Sequence, residues 1–175
     1  MAKKAKKAKA PRIISIPPQG MTITIPNKFY LVAGESEGMT PLNAFDNALV
    51  DAGIGNTNLV KMSSILPPNC TKIKPVLLPL GSLVPVAYAS KVSSQTDEII
   101  SAAVAVAIPK DKNKNGLIME YSAAGRKEEV EKIVRHMAEE GLRQRGYALK
   151  EILSISAQHD VKKIGAAYAA VVLWW

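Results

Sequence analysis

The spacing of apolar and polar positions predicts a chain built mostly of strands, with two helices set among them. Behind the Pro17-Pro18 break, Met21, Ile23 and Ile25 alternate with polar residues and suit one face of a short edge strand. Lys28 to Ala33 reads as the next strand, and the polar segment Gly34-Glu-Ser-Glu-Gly38 has the composition of the loop that ends it. A helix is predicted over Pro41 to Ala52. Thr40 can cap its first free N–H groups, Pro41 fits the first turn where its missing N–H costs nothing, and Gly53 suits a left-handed position after the last turn. Leu42, Phe45, Leu49 and Ala52 recur at helical spacing as its buried stripe. Thr57 to Met62 is strand-like and runs into Ser63-Ser64, just before Pro67-Pro68, where neither residue has an N–H to give a ladder.

Lys72 to Leu78 and Leu83 to Ser93 also read as strands. Glu98 to Ile108 is almost wholly small or apolar, which fits a strand buried on both faces or a helix; Pro109 closes either, and the strand is preferred. After the hydrophilic loop 110–116, Leu117 to Tyr121 is a strand whose apolar run is interrupted by Glu120. Arg126 to Arg145 is the second helix, with Val130, Ile133, Val134, Met137, Gly141 and Leu142 on one face. Tyr147 to Asp160 and Ala166 to Trp175 complete the strands. Two helices and seven or eight strands in sequential runs predict an α+β fold, its helices covering largely antiparallel sheets.

Composition changes this picture little. A length of 175 residues, 47% apolar, suits one well-filled core, so a single domain is expected over 21–175 behind an arm, 1–20. The formal charge of +8 looks like a nucleic-acid signal until it is located: Lys3, Lys4, Lys6, Lys7, Lys9 and Arg12 carry +6 of it, leaving +2 for the rest. The arm lacks aromatic residues to stack on bases, so a disordered, solubilising tail is expected and a nucleic-acid role is not. The single Cys70 cannot form an intramolecular disulfide, which suits a reducing compartment. No apolar run has the length of a membrane span, and prolines interrupt the basic start where a signal peptide would need its apolar core. A soluble cytoplasmic protein is expected.

Three places could carry chemistry. A serine hydroxyl held against the preceding carbonyl in a turn can attack it and move the acyl group from nitrogen to oxygen, and Ser63-Ser64 sits at such an exit from regular structure. Asp46 lies one helical turn from both Leu42 and Leu49, at the border of the apolar stripe, while Asp51 points to the opposite side. It is either a solvated flank or a receptor for a cation. Glu120 either points out of a one-sided sheet or is a carboxyl group among apolar neighbours that can hold and hand on a proton. His136 falls off the apolar stripe and is read as exposed; His159 has no second His, Cys or Asp at ligand spacing, so no metal site is expected.

The order Leu-Val-Ala-Gly (31–34), Thr-Pro-Leu-Asn-Ala-Phe-Asp (40–46), Ala-Gly-Ile-Gly-Asn (52–56), Ser-Ser-Ile-Leu-Pro-Pro (63–68), Ala-Ile-Pro-Lys-Asp (107–111) and Gly-Leu-Ile-Met-Glu-Tyr (116–121) resembles the pyruvoyl-dependent arginine decarboxylases, from about Phe29 to the C-terminus. The resemblance implies a four-layer αββα sandwich, a homotrimer of cleaved protomers and active sites between neighbouring subunits. It implies cleavage between Ser63 and Ser64 into 1–63 and 64–175, with Ser64 becoming the pyruvoyl group. That group would form a Schiff base with L-arginine and release CO2 and agmatine. No pyridoxal phosphate and no metal are implied. By position, Ser63 is the cleavage partner, Asn58 a donor to an oxyanion or to the substrate carboxylate, and Glu120 the proton donor. Asp46 would hold the guanidinium, with Leu49, Gly55 and Thr57 lining the pocket. Two alternatives stand beside this reading: a pyruvoyl decarboxylase for another amino acid, and an uncleaved, catalytically silent homologue serving assembly or binding.

Overall fold

The apolar run that ends the chain becomes the spine of the computed structural model, which describes residues 24–175. The expected basic arm and the start of the strand around Met21 and Ile23 lie outside the described residues. The last strand, β9 (Gly165–Trp174), is buried along nearly its whole length and sits at the centre of a five-stranded sheet. Its neighbours are β5 (Leu83–Ser93) and β1 (Lys28–Glu37), both antiparallel to it. Two short edge strands run parallel to their partners: β2 (Asn58–Lys61) beside β5, and β4 (Thr71–Lys72) beside β1. A second sheet, wholly antiparallel, has the order β3 (Ile65–Leu66), β7 (Gly116–Ala124), β6 (Ile99–Pro109), β8 (Leu149–Asp160).

The sheets face each other across a core of Ala87, Ala89, Val104, Val106, Ile118, Ala169 and Val171. Helix α1 (Pro41–Asp51) covers the outer face of the five-stranded sheet, against Tyr30, Val84, Val86, Tyr168 and Ala170. Helix α2 (Lys127–Gln144) covers the other sheet, against Ala103, Ala105, Ala107 and Leu117. The result is an α+β, four-layer αββα sandwich. Residues of β6 and β9 feed two cores by turns, even numbers to one side and odd to the other, so both strands are apolar throughout. Glu98 to Ile108 is thereby settled as a strand. Among the described residues no helix is long and apolar enough to cross a membrane.

Thr40 caps α1 as expected, its hydroxyl accepting from the Asn43 N–H at 3.2 Å, and Gly53 has φ 79° after the last turn. The buried stripe differs from the expected one. Leu49 and Ala52 are buried as expected and Phe45 is half-buried, but Leu42 is 74% exposed and Ala44 and Ala48 face the sheet in its place. The reason is close approach: a side chain at Gly34 would fall on the Ala48 carbonyl and lie 2.6 Å from Ala52 N, so the helix seats its small residues on β1. In α2, similarly, Ala138 is buried while Ile133 is 43% exposed. His136 is exposed as read, and burial pushes the Cys70 thiol up to about 11, an inert group at the edge of the core.

Two expected segments come out differently. Of the predicted strand 72–78 only Lys72 lies in a strand, the two-residue β4, because Pro75 and Pro79 have no N–H to donate, and Leu77 is 98% exposed. Conversely, Gly34 to Glu37 is strand and not loop, paired with β9 as far as Glu37 opposite Gly165. Its charges have partners that composition does not reveal. Asp51, expected on the side away from the stripe, turns back to accept the Glu35 N–H at 3.0 Å. Glu37 accepts the backbone N–H groups of Lys162 at 2.7 Å and of Lys163 and Ile164 at 3.0 Å, and bonds His159 Nε2 at 2.7 Å; Glu35 meets Nδ1 of the same ring.

This clamp ties the ends of β1 and β8 to the turn into β9 and makes stability depend on pH. The bonds from Lys162 and His159 hold Glu37 down at about 2. Burial works against a charged imidazole, but the hydrogen bonds and charges of Glu37 and Glu35 outweigh it and raise His159 above its ordinary 6.5. The His159 contribution is complete below about pH 6.5 and is lost as pH rises through the raised value; the Glu37 contribution is complete above about pH 4.5 and fades toward about 2. His159→Gln is therefore expected to lower Tm by about 2–4 °C between those limits and to flatten its alkaline decline. Parallel Tm curves for variant and wild type would count against the clamp.

Candidate active site

The two serines occupy the crossing between the sheets. The Met62 N–H donates to the Val86 carbonyl at 2.7 Å, the last backbone bond that continues the β2 pairing with β5. Three residues later, Ile65 pairs with Leu117 on β7, in the opposite sheet. The Ser63-Ser64 peptide is therefore the middle of a short span joining one layer to the other. Ser63 is exposed and Ser64 half-buried. The Ser64 carbonyl is fixed by the Ile118 N–H at 2.7 Å, which leaves its side chain and the peptide before it outside any ladder.

Strand alternation brings the next group in. Ile118 points into the core between the sheets, so Glu120, two residues on, points the same way. Its Oε1 lies 3.3 Å from Lys61 Nζ, and its Oε2 is buried with no hydrogen-bond partner. Lys61 also donates to the Tyr88 carbonyl at 3.2 Å and sits 4.4 Å over the Tyr88 ring. Behind it the rings of Tyr88, Tyr168 and Phe45 form a cluster with centroids 5.2 to 6.2 Å apart. The Tyr168 hydroxyl is buried without a partner; burial, then the neighbouring Tyr88 and Glu120, push its pKa up. One bond farther along β7, the Ser122 hydroxyl donates to the Ser90 carbonyl at 2.9 Å and pins the sheets together.

The remaining predicted residues lie around this group and not in it. The Asn58 side-chain amide donates to the Gly81 carbonyl at 2.7 Å, and the Thr57 hydroxyl donates to the Ile54 carbonyl at 2.7 Å. Both shape the turn that leads into β2. Gly55 is packed on Val50, where an added Cβ would lie 2.6 Å from its methyl group. Leu49 is on the buried face of α1. Asp46 is exposed on α1, with the five-stranded sheet between it and Glu120. Ser64 and Glu120 are thus brought together through β7 and Asp46 is not. A cavity of about 590 Å3 opens elsewhere, between Leu66, Cys70, Lys72, Lys112 and Lys150, and includes none of the predicted site residues.

Sequence reasoning passed over Lys61, Tyr88 and Tyr168. Lys61 had a signal, a lone charge in an otherwise apolar segment two residues before the serines. The tyrosines had none, because their meeting depends on β5 and β9 pairing across a long stretch of chain. Among the described residues no group of three or more His, Cys, Asp or Glu side chains is placed to hold a metal ion.

The family profile described as pyruvoyl-dependent arginine decarboxylase (PvlArgDC) matches residues 28–174. The chain belongs to the pyruvoyl-dependent arginine decarboxylase family. A curated family member from Methanocaldococcus jannaschii is 54% identical over 151 residues, covering 86% of this chain and 92% of its own. Another, from Pyrococcus abyssi, is 47% identical over 157 residues, covering 88% and 99%. A solved pyruvoyl-dependent histidine decarboxylase is a loose likeness, with TM-score 0.47 and 15% identity over 57% of this chain and 53% of its own. Membership of the family implies a pyruvoyl cofactor. The residues present fit one: an anchored Ser64 carbonyl, an unladdered peptide before it, and a buried carboxyl oxygen without a partner close by.

Proposed function

We propose that this chain is a self-processing enzyme that converts L-arginine to agmatine and CO2, using a pyruvoyl group made from Ser64. The observation that carries the reading is the Ser63-Ser64 peptide spanning the sheets beside Glu120, in a chain of this family. Ser64 Oγ attacks the Ser63 carbonyl carbon, the peptide C–N bond breaks, and an ester joins the two residues. Loss of the Ser64 α-proton with cleavage of its Cβ–O bond then frees Ser63 as a carboxylate. The dehydroalanine left at position 64 takes up water and releases ammonia. The anchored carbonyl keeps residue 64 beside β7 throughout.

When present, the pyruvoyl carbonyl supplies the electrophile and the electron sink that loss of CO2 from an amino acid requires. The chain's own groups do the rest. Glu120 serves as the proton donor to the α-carbon. Asn58 donates toward the substrate carboxylate, and the 55–57 turn with Leu49 forms the pocket wall. Asp46 receives the guanidinium through paired N–H groups, which favours arginine over lysine.

Because one protomer keeps Asp46 and Glu120 on different layers, the complete site is formed with a second copy in a homotrimer. Exposed apolar side chains support this. Val60 and Met62 on the β2 edge, and Leu77, Leu80 and Leu83 in and after the loop into β5, are between 40% and 98% exposed.

The test is the denatured mass of purified protein together with agmatine formation: two fragments, 1–63 and 64–175, and arginine-dependent CO2 release are expected. A full-length chain with no carbonyl reducible by borohydride would sink the reading. Asp46→Ala is expected to raise KM for arginine by about 10–100-fold with a smaller change in kcat, the loss of about 1.5–3 kcal/mol of charged hydrogen bonding. Steady-state kinetics check it, and an unchanged KM removes Asp46 from the receptor role.

A further inference from the structure

We infer that Lys61 is a positioning residue that self-cleavage transfers from Glu120 to the carboxylate created at Ser63, so that the proton donor is released by the same event that makes the cofactor. This rests on the proposed scission between Ser63 and Ser64. In the uncut chain Lys61 is bound on one side to Glu120 Oε1 at 3.3 Å and on the other to the Tyr88 carbonyl at 3.2 Å. Lys61 thus occupies one oxygen of Glu120, and the other oxygen is buried without a partner.

Scission changes the charges beside it. Breaking the Cβ–O bond of the ester leaves a full negative charge on Ser63, two residues along an extended chain from Lys61, a span of about 7 Å between Cα atoms. Ser63 is exposed and would then be a free chain end, able to swing onto the ammonium group, whose side chain is 52% exposed. Two carboxylates then compete for one cation. The new one pairs at the water boundary at little desolvation cost, while Glu120, less exposed at 32%, loses its partner. Tyr168 of β9 is within reach of the Glu120 charge and the Tyr88 ring of β5 lies against Lys61; neither is a cation. Glu120, no longer tied to an ammonium group, is left free to face the reacting α-carbon.

Carbodiimide coupling, which joins an amine to a carboxylate in direct contact, reads the exchange by peptide mass. In the uncut Ser64→Ala chain the Lys61–Glu120 link is expected; in the matured wild-type protein a Lys61–Ser63 link should replace it, with at least a tenfold reversal of their ratio. Infrared difference spectra give a second reading. Ser64→Ala with Lys61→Met should move a carboxyl band of Ser64→Ala, one that Glu120→Gln removes. A matured enzyme that retains the Lys61–Glu120 link, one that forms no Lys61–Ser63 link, or a double variant whose carboxyl band does not move overturns the transfer. A wild-type chain that stays at full length overturns instead the proposed function itself.

Discussion

Ser64→Ala is expected to give one uncut chain with no carbonyl that borohydride can reduce and no turnover of arginine. Alanine has no oxygen to attack the Ser63 carbonyl, so the ester, the elimination and the cofactor are all lost together. The fold should survive, because Ser64 is held through its backbone carbonyl by the Ile118 N–H and not through its side chain. Ser63→Ala makes the contrast. The atom attacked there is a backbone carbonyl that alanine keeps, so cutting proceeds. Denatured mass and circular dichroism of the two variants check both halves of the expectation. Cleavage in Ser64→Ala would show that the wrong bond has been chosen.

Glu120→Gln should cut normally and then turn over arginine about 10²–10⁴-fold more slowly with little change in KM. The substitution keeps the shape and lets the side chain still face Lys61, but an amide has no proton to deliver to a carbanion. Solvent then has to serve. In deuterated water the wild-type enzyme should label agmatine on one face of the carbon that lost CO2, whereas the variant should lose that preference along with its rate. Full activity, or slow turnover with the stereochemistry intact, would assign the proton to another group.

The elements most legible in the sequence were those whose pattern reports burial directly. The strands ending in Ser93 and Ile108 could be read because a residue run with no polar face has to be covered on both sides. The helix beginning at Pro41 could be read from its caps, which depend only on neighbours in sequence. Its buried face could not, since the seating of Ala44 and Ala48 answers to Gly34 on another element. Glu35 and Glu37 looked like loop residues because their partners, His159 and the backbone of 162–164, are more than a hundred positions away. In the site, Ser64 and Glu120 were legible as chemistry, and the family blocks gave their roles. Lys61 lay in plain sight but acquires meaning only when β7 brings Glu120 beside it.

The crossing of the serines between the sheets has a consequence for how the protein must come into being. Under the proposed scission, fragment 1–63 would carry β1, α1 and β2 and fragment 64–175 the rest, so along the five-stranded sheet β2-β5-β9-β1-β4 the strands would belong by turns to the first, second, second, first and second fragment. The two pieces are woven together, with β1 registered against β9 over ten residue pairs. The uncut chain reaches this arrangement by itself, at a rate independent of concentration. Once cut, the same architecture can be regained only when two separate polypeptides meet, and each alone lacks strands the other needs. On the proposed scission, folding therefore has to precede cutting.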